Sequence, residues 1–465
     1  MKKPIPMQDT SISQSFDEAG IERRMRVTAL SGPIFVETFL RMLFLNIDVF
    51  MLKYYSEKAV AAMGPIMQFY FLILIMLMVS TSGAGILIAQ YLGARRRDMA
   101  AEYSLASLNL VTLSGIVIGI VFFIAPDLYL GFYALEDSVH NYALEYMTVM
   151  GSAAAALSFS VGVTGIARSY GFTRITLIAS IAGNIVNVFG NACFIFGLFG
   201  VPVLGVKGVA ISTLTGNLFS GVVVYIFLSR QPGFKLPFNR IFRLPLLHYW
   251  NILKIGAPSA GEQLSYNLAQ MVTMQFISRL GTPSLTAYVC AFNIMRFIFM
   301  VSLSIGQAIQ ILVGYLVGSK RADEAKKRTL TSLRFSVIVT FGIAIAFSIF
   351  RESLIRIYTN DPEVIAIAGS LVLMTMILEP SRAFNIILGS ALRGAGDYKF
   401  PISIGIVFMW GVSVNLAYFL GIRWGMGALG VWIAFTADES LRGALMLWRW
   451  LSGIWKTKSI VSTNS

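Results

Sequence analysis

Residues 33–52 read PIFVETFLRMLFLNIDVFML, a run apolar enough to cross a membrane that nevertheless carries Glu37, Arg41 and Asp48. At about 100° per residue, Arg41 sits roughly 40° from Glu37 around a helix and Asp48 about 20° from it. The three charges therefore share one stripe. An ionised side chain in hydrocarbon costs at least about 2.5–3.5 kcal/mol, so the stripe must face other protein or a wet cavity. It returns later in the chain in altered form.

The rest of the chain is equally apolar. Of its 465 residues 56% are hydrophobic and only 13% charged, where a soluble chain carries about a quarter charged residues. A transmembrane helix needs about 20 apolar residues. Twelve runs qualify: 28–52, 64–91, 104–125, 140–163, 175–199, 205–229, 250–278, 284–317, 330–350, 363–390, 400–421 and 427–449. The fold class is an all-α polytopic membrane protein with twelve transmembrane helices.

The net charge of +14 is a topology signal. With the N-terminus placed in the cytoplasm, the segments on that side carry 25 of the 37 Lys and Arg, the opposite loops seven and the spans five. This positive-inside bias predicts a multi-pass protein of the cell (plasma or inner) membrane with both termini cytoplasmic. Nucleic acid is not an expected partner. The stretch over 1–27 has neither an apolar core nor a cleavage site, so it does not read as a signal peptide. Cys193 and Cys290 lie within or at the edge of spans, which predicts no disulfide framework and no metal cluster. His140 and His248 belong to no ligand motif.

An ungapped internal match sets the first half of the chain on the second. Pro33 falls on Pro258, Glu37 on Glu262, Gly93-Ala-Arg-Arg-Arg-Asp98 on Gly318-Ser-Lys-Arg-Ala-Asp323, and Arg168 on Arg393. After a gap of three, Gly205-Val-Lys-Gly-Val209 aligns with Gly427-Ala-Leu-Gly-Val431. Each copy holds six spans. Six is even, so both copies start on the same membrane side, which makes a parallel repeat of two six-helix lobes around a cleft. The expected divisions are a cytoplasmic tail over 1–27, an N-lobe over 28–229, a basic linker over 230–249, a C-lobe over 250–450 and a C-terminal tail over 451–465.

Polar residues inside spans mark the candidate sites. The seventh span has Glu262, Tyr266 and Thr273 where the first has Glu37, Arg41 and Asp48. The fifth carries Asn184, Asn187 and Asn191 on one face, and the eighth Asn293, Arg296, Gln307 and Gln310. The tenth has Glu379 and Arg382 one turn apart beside Pro380, and the twelfth Asp438, Glu439 and Arg442. Glu37 with Arg41, Glu379 with Arg382, and Asp438 with Arg442 have the spacing of self-neutralising pairs, and an Asn stripe can instead join helices. Asp48 differs, because Arg41 lies two turns away and is already next to Glu37. A carboxylate so placed is suited to taking up and releasing a proton.

The pattern resembles the MATE family, the multidrug and toxic compound extrusion transporters. The likeness rests on Pro33 followed by Asp48, on Ala61-Ala-Met-Gly64, Ile88-Ala-Gln-Tyr-Leu-Gly-Ala94 and Ala391-Leu-Arg-Gly-Ala-Gly-Asp397, and on the Gly-x-x-Gly starts of spans six and twelve. It implies a cation-coupled antiporter whose lobes alternate between outward and inward openings, exporting small organic compounds as protons or sodium enter. It needs no cofactor. Asp48 matches the family's first-span coupling carboxylate, and Asn187 and Asn191 match a fifth-span Asn and Asp. Asn191 therefore stands where many relatives have an acid. Asp48, Asn187, Asn191 and Glu37 are the expected ion-coupling residues, with a proton favoured over sodium. Arg41, Glu262, Tyr266, Asn293, Arg296, Gln307, Glu379 and Arg382 are the expected cavity lining. The expected partners are a small organic substrate and the lipid bilayer, with the chain a monomer.

Two rival readings have recognisable requirements. A lipid-linked saccharide flippase of related architecture calls for a more continuously basic cavity and a lateral portal. An intramembrane enzyme calls for a nucleophile with a base or a metal cluster, and the chain shows no Ser/His/Asp set and no His-Glu-x-x-His.

Overall fold

Long apolar runs bounded by Gly, Pro and charged clusters fold into helical rods, because a backbone in lipid must satisfy its own hydrogen bonds. In the computed structural model, which describes residues 20–461 except 233, 235 and 242, the rods are α1 (Val27–Leu52), α2 (Glu57–Gly93) and α3 (Arg97–Ile124). Next come α4 (Asp137–Ser152 continued by Ala154–Ser169 after a 60° bend), α5 (Thr173–Phe196) and α6 (Gly205–Ser229). The second half holds α7 (Leu246–Ser278), α8 (Thr282–Gly318), α9 (Ala322–Ile349), α10 (Pro362–Ala395), α11 (Lys399–Arg423) and α12 (Gly427–Leu451). Among the described residues there is no strand. Most of the expected N-terminal tail, the end of the C-terminal tail over 462–465, and Lys2, Lys3 and Lys235 of the charge reading lie outside the described residues.

Eight of these helices are long and apolar enough to cross a membrane unaided, nine with the bent pair, among the described residues. The other three rods are α1, α7 and α12. They carry Glu37, Arg41 and Asp48, then Glu262, then Asp438, Glu439 and Arg442. Their polar groups are tolerable only inside the bundle or facing water.

The repeat is visible in the backbone. The repeat mates Arg95 and Lys320 both take left-handed conformations, with φ of 60° and 61°, uncommon for residues other than glycine. Gly171 and Gly396, mates in the same register, share φ of 81° and 99°. The turns close alike: Arg96 N–H donates to the Tyr91 carbonyl at 3.0 Å, and Arg321 N–H to that of Leu316 at 2.8 Å. Short helices Asp127–Leu130 and Arg351–Arg356 follow the third rod of each half.

The first rod of each half is shared with the other half. α1 lies along α5 but also along α8, and α7 lies along α2. Leu30 and Ile34 of α1 accordingly join a core with Ile309, Leu312 and Leu388, while Ile252 and Ile255 of α7 join one with Leu77 and Leu87.

The halves meet most closely at the end where the described chain begins and ends, at Gly20 and Val461. A Cβ on Gly93 would run into the Tyr315 carbonyl and one on Gly318 into that of Gln90, so only glycine lets α2 and α8 approach this far. Gly256 is pressed against the Val79 carbonyl in the same way. Gln90, fully buried, donates to the Gly394 carbonyl at 2.9 Å and accepts from Ile460 N–H at 3.0 Å. Asn251 donates to the Tyr103 hydroxyl at 2.9 Å, and Arg321 pairs with Glu22 at 2.8 Å. This tail side is shut.

Candidate ion-coupling site and interlobe residues

Gly183 of α5 and Gly216 of α6 face each other, and a Cβ on either would meet the other's carbonyl. That close approach brings Thr213 to Asn187. Residues 187 and 191, one turn apart, present both amides on one face of α5, and α1 lays Asp48 against them. Asn191 is fully buried and donates from Nδ2 to Asp48 Oδ1 at 2.6 Å. In the amide orientation that satisfies both ends, Asn187 donates to the same oxygen at 3.1 Å and accepts from Thr213 Oγ1 at 3.1 Å. Tyr70 and Tyr146 lie within electrostatic range of Asp48. Asn191 Oδ1 is buried without a partner among the described residues. Asp48 is thus held by neutral amides, while Arg41 is committed to Glu37 at 3.3 Å.

Glu37 stands elsewhere, about three turns or roughly 16 Å back along α1. It is 2% exposed and bound by Arg168 at 2.5 Å, with Thr176 Oγ1 donating at 3.2 Å. Its repeat mate Glu262 pairs with Arg393 at 3.4 Å, and there both side chains are about one-fifth exposed. The two ion pairs are the same pair twice, since Arg168 and Arg393 are also repeat mates. That recurrence was the signal in the sequence for a partner other than Arg41. Thr213, Tyr70 and Tyr146 had no such signal, because their nearness to Asp48 depends on how α2, α4 and α6 pack.

In the C-terminal half, Glu379 pairs with Arg382 at 2.7 Å, and Arg382 Nε reaches Glu439 at 3.3 Å. Arg442 pairs with Asp438 at 2.5 Å and with Glu439 at 3.3 Å, and Asn385 donates to Glu439 at 2.7 Å. All five charged groups are buried. Three carboxylates face two guanidiniums, a formal charge of −1, and Glu379 Oε2 and Asp438 Oδ1 have no partner among the described residues. Phe299 and Phe435 flank the Arg382 guanidinium at 5.2 Å each. Tyr266 lies beside this network, its hydroxyl accepting from Gln270 at 2.8 Å. Glu379 and Arg382 are therefore enclosed. Arg41 and Arg296 are exposed, the latter with its guanidinium 4.9 Å from the Phe292 ring, and Asn293 and Gln307 are half-buried. No group of three or more His, Cys, Asp or Glu able to hold a metal occurs among the described residues.

Twelve rods in two repeated halves, with charged and amide groups held inside the spans, define a polytopic membrane transporter. The MatE family model matches residues 33–193 and 258–419, two segments that begin on the repeat mates Pro33 and Pro258. The chain belongs to the MATE family. The "Uncharacterized transporter YisQ" of Bacillus subtilis (strain 168) is 38% identical over 94% of this chain and 96% of its own length. A "Probable multidrug resistance protein NorM" of Thermotoga maritima is 28% identical over 95% of each. Among solved structures, a MATE protein in the bent conformation superposes with a TM-score of 0.86 at 20% identity, covering 94% of this chain and 98% of that one. An outward-facing MATE multidrug resistance transporter gives 0.84 at 20% identity, over 93% and 96%.

Proposed function

We propose that this protein exports small organic compounds in exchange for protons by alternating access, with Asp48 as the coupling group. The observation that carries the reading is a carboxylate in a membrane-spanning helix held by two amides, while the nearest arginine on its own helix serves Glu37. An antiporter needs a site whose two loaded states favour different conformations. Ionised Asp48 ties α1 to α5 through charge-assisted hydrogen bonds, the stronger kind. Protonated Asp48 becomes a donor and suits the unsatisfied Asn191 Oδ1 after that amide turns. The hold on α1 changes with the proton, and α1 also touches the other half through α8, with Phe39 and Phe297 ring centroids 6.4 Å apart.

Sodium is the second reading, favoured by that same unsatisfied carbonyl oxygen beside a carboxylate, since sodium takes oxygen ligands. Positive-inside bias supports cytoplasmic termini, so the shut tail side would be the cytoplasmic one and the structure outward-facing. Exposed Arg41 and Arg296 favour cargo carrying a carboxylate or phosphate in addition to lipophilic cations. Efflux from proteoliposomes under an imposed pH or sodium gradient tests these readings. Asp48→Asn should abolish proton-driven efflux at unchanged thermal stability. Full transport by that variant defeats the proposal, and drive by sodium alone replaces the proton.

A further inference from the structure

On the tail side a cavity of about 570 Å³ opens between the start of α7, the α10–α11 turn, the end of α12 and the C-terminal segment. Its polar lining includes Asn251, Lys254, Lys399, Ser403, Arg449 and Lys458, with Asp397 the one carboxylate. Asp397 is spoken for: Arg449 Nε donates to it at 2.7 Å and the guanidinium stacks on Phe400. Asp397 and Arg449 cancel, leaving three lysines in excess. Lys254, Lys399 and Lys458 are exposed and have no ion pair among the described residues. Some other cations on this face are paired, as Arg240 is with Glu102 at 2.8 Å and Lys456 with Asp323 at 2.6 Å; what sets these three lysines apart is that they line one recess.

The cavity also lies at the level of the membrane surface. Trp250 and Leu246 on the first turns of α7 are 62% and 84% exposed, and Trp448 on α12, near Phe400, is 57% exposed. Exposed tryptophans at the ends of spans mark the headgroup region. A basic recess between helix ends at that depth fits the phosphate of an anionic phospholipid, its acyl chains running along the apolar flank.

We propose that this cavity is a binding site for an anionic phospholipid headgroup, separate from the cleft and from Asp48. Lys254, Lys399 and Lys458 supply charge to the phosphate, Asn251 and Ser403 hydrogen bonds to its ester or glycerol oxygens, and Trp250 and Trp448 flank the acyl chains. Near a membrane surface each lysine adds about fivefold to affinity for anionic lipid.

The test is native mass spectrometry of the intact purified chain in mixed micelles of phosphatidylglycerol and phosphatidylcholine. The expected result is one retained phosphatidylglycerol, preferred at least about tenfold. The triple variant Lys254→Gln, Lys399→Gln, Lys458→Gln should bring the two lipids to near parity while keeping its thermal midpoint. The single Lys254→Glu, expected to cut the preference several-fold, serves if the triple variant does not fold. A control triple on the same face, Lys320→Gln, Lys326→Gln, Lys327→Gln, should keep the preference. Equal loss in the control, or an unchanged preference in the cavity variant, overturns the proposal. Displacement of the lipid by excess inorganic phosphate, with glycerol phosphate binding equally well, assigns the site to a free phosphate and overturns the lipid assignment.

Discussion

Asp48 and Glu37 share one face of one helix, yet their surroundings give them different work. Glu37 meets Arg168 and Arg41, and Asp48 meets only neutral donors. Asn191→Leu removes a charge-assisted hydrogen bond of about 1.5–3 kcal/mol from the Asp48 site. Driven efflux in proteoliposomes should fall by about tenfold or more, with cargo binding in the absence of a gradient changed less. Thr213→Val should do the same more weakly, because it only orients Asn187.

At the scale of the element, the duplicated ion pair allows a comparison inside one molecule. Arg168→Met leaves Glu37, 2% exposed, with only the more exposed Arg41 at 3.3 Å as a charged partner, which should cost up to about 3 kcal/mol of stability. Arg393→Met leaves Glu262 about one-fifth exposed, so water replaces much of what is lost and the cost should be clearly smaller. Thermal unfolding of the two variants in one detergent measures the difference. The N-terminal turn adds a pH-dependent contact. Arg321 donates to Glu22 and holds its carboxyl below the usual range. A lowered folded value means the docking is favoured above the ordinary Glu value of about 4.3 and lost as pH falls through the lowered one. A fluorescent probe on this segment should therefore report its release reversibly as pH falls below the ordinary Glu range. Arg321→Gln, which removes the contact at every pH, should be cut by trypsin at Arg23, Arg24 and Arg26 faster than the parent at neutral pH.

For the whole molecule, the tail-side closure rests on backbone contact at glycines 83, 93, 256 and 318. Gly93→Val places methyl groups where the Tyr315 carbonyl lies, and overpacking of this kind costs about 1–3 kcal/mol. The cost falls on the closed state alone, so the equilibrium should move towards a tail-open arrangement by roughly five- to a hundredfold. Distances between spin labels on the α2–α3 and α8–α9 turns should lengthen. An unchanged distance distribution would remove these glycines from the closure.

The membrane class, the rods and the repeat were legible in the linear chain, because they depend on apolar length, charge placement and internal identity, all local or periodic. The runs at 28–52 and 205–229 are matched to within a residue by α1 and α6, and the repeat recurs as paired backbone angles. Polar stripes on apolar helices marked Asp48, Asn187 and Asn191 one by one, but it was the family resemblance that grouped them, and the structure brings the three side chains together. The partners came from packing in three dimensions: Glu37 with Arg168, Thr213 behind Asn187, and Glu379 and Arg382 enclosed with Glu439. These pairs join different helices, some consecutive like α5 and α6 and some as distant in the chain as α1 and α4. Their meeting is set by how closely the helix backbones approach, which single-helix periodicity does not encode.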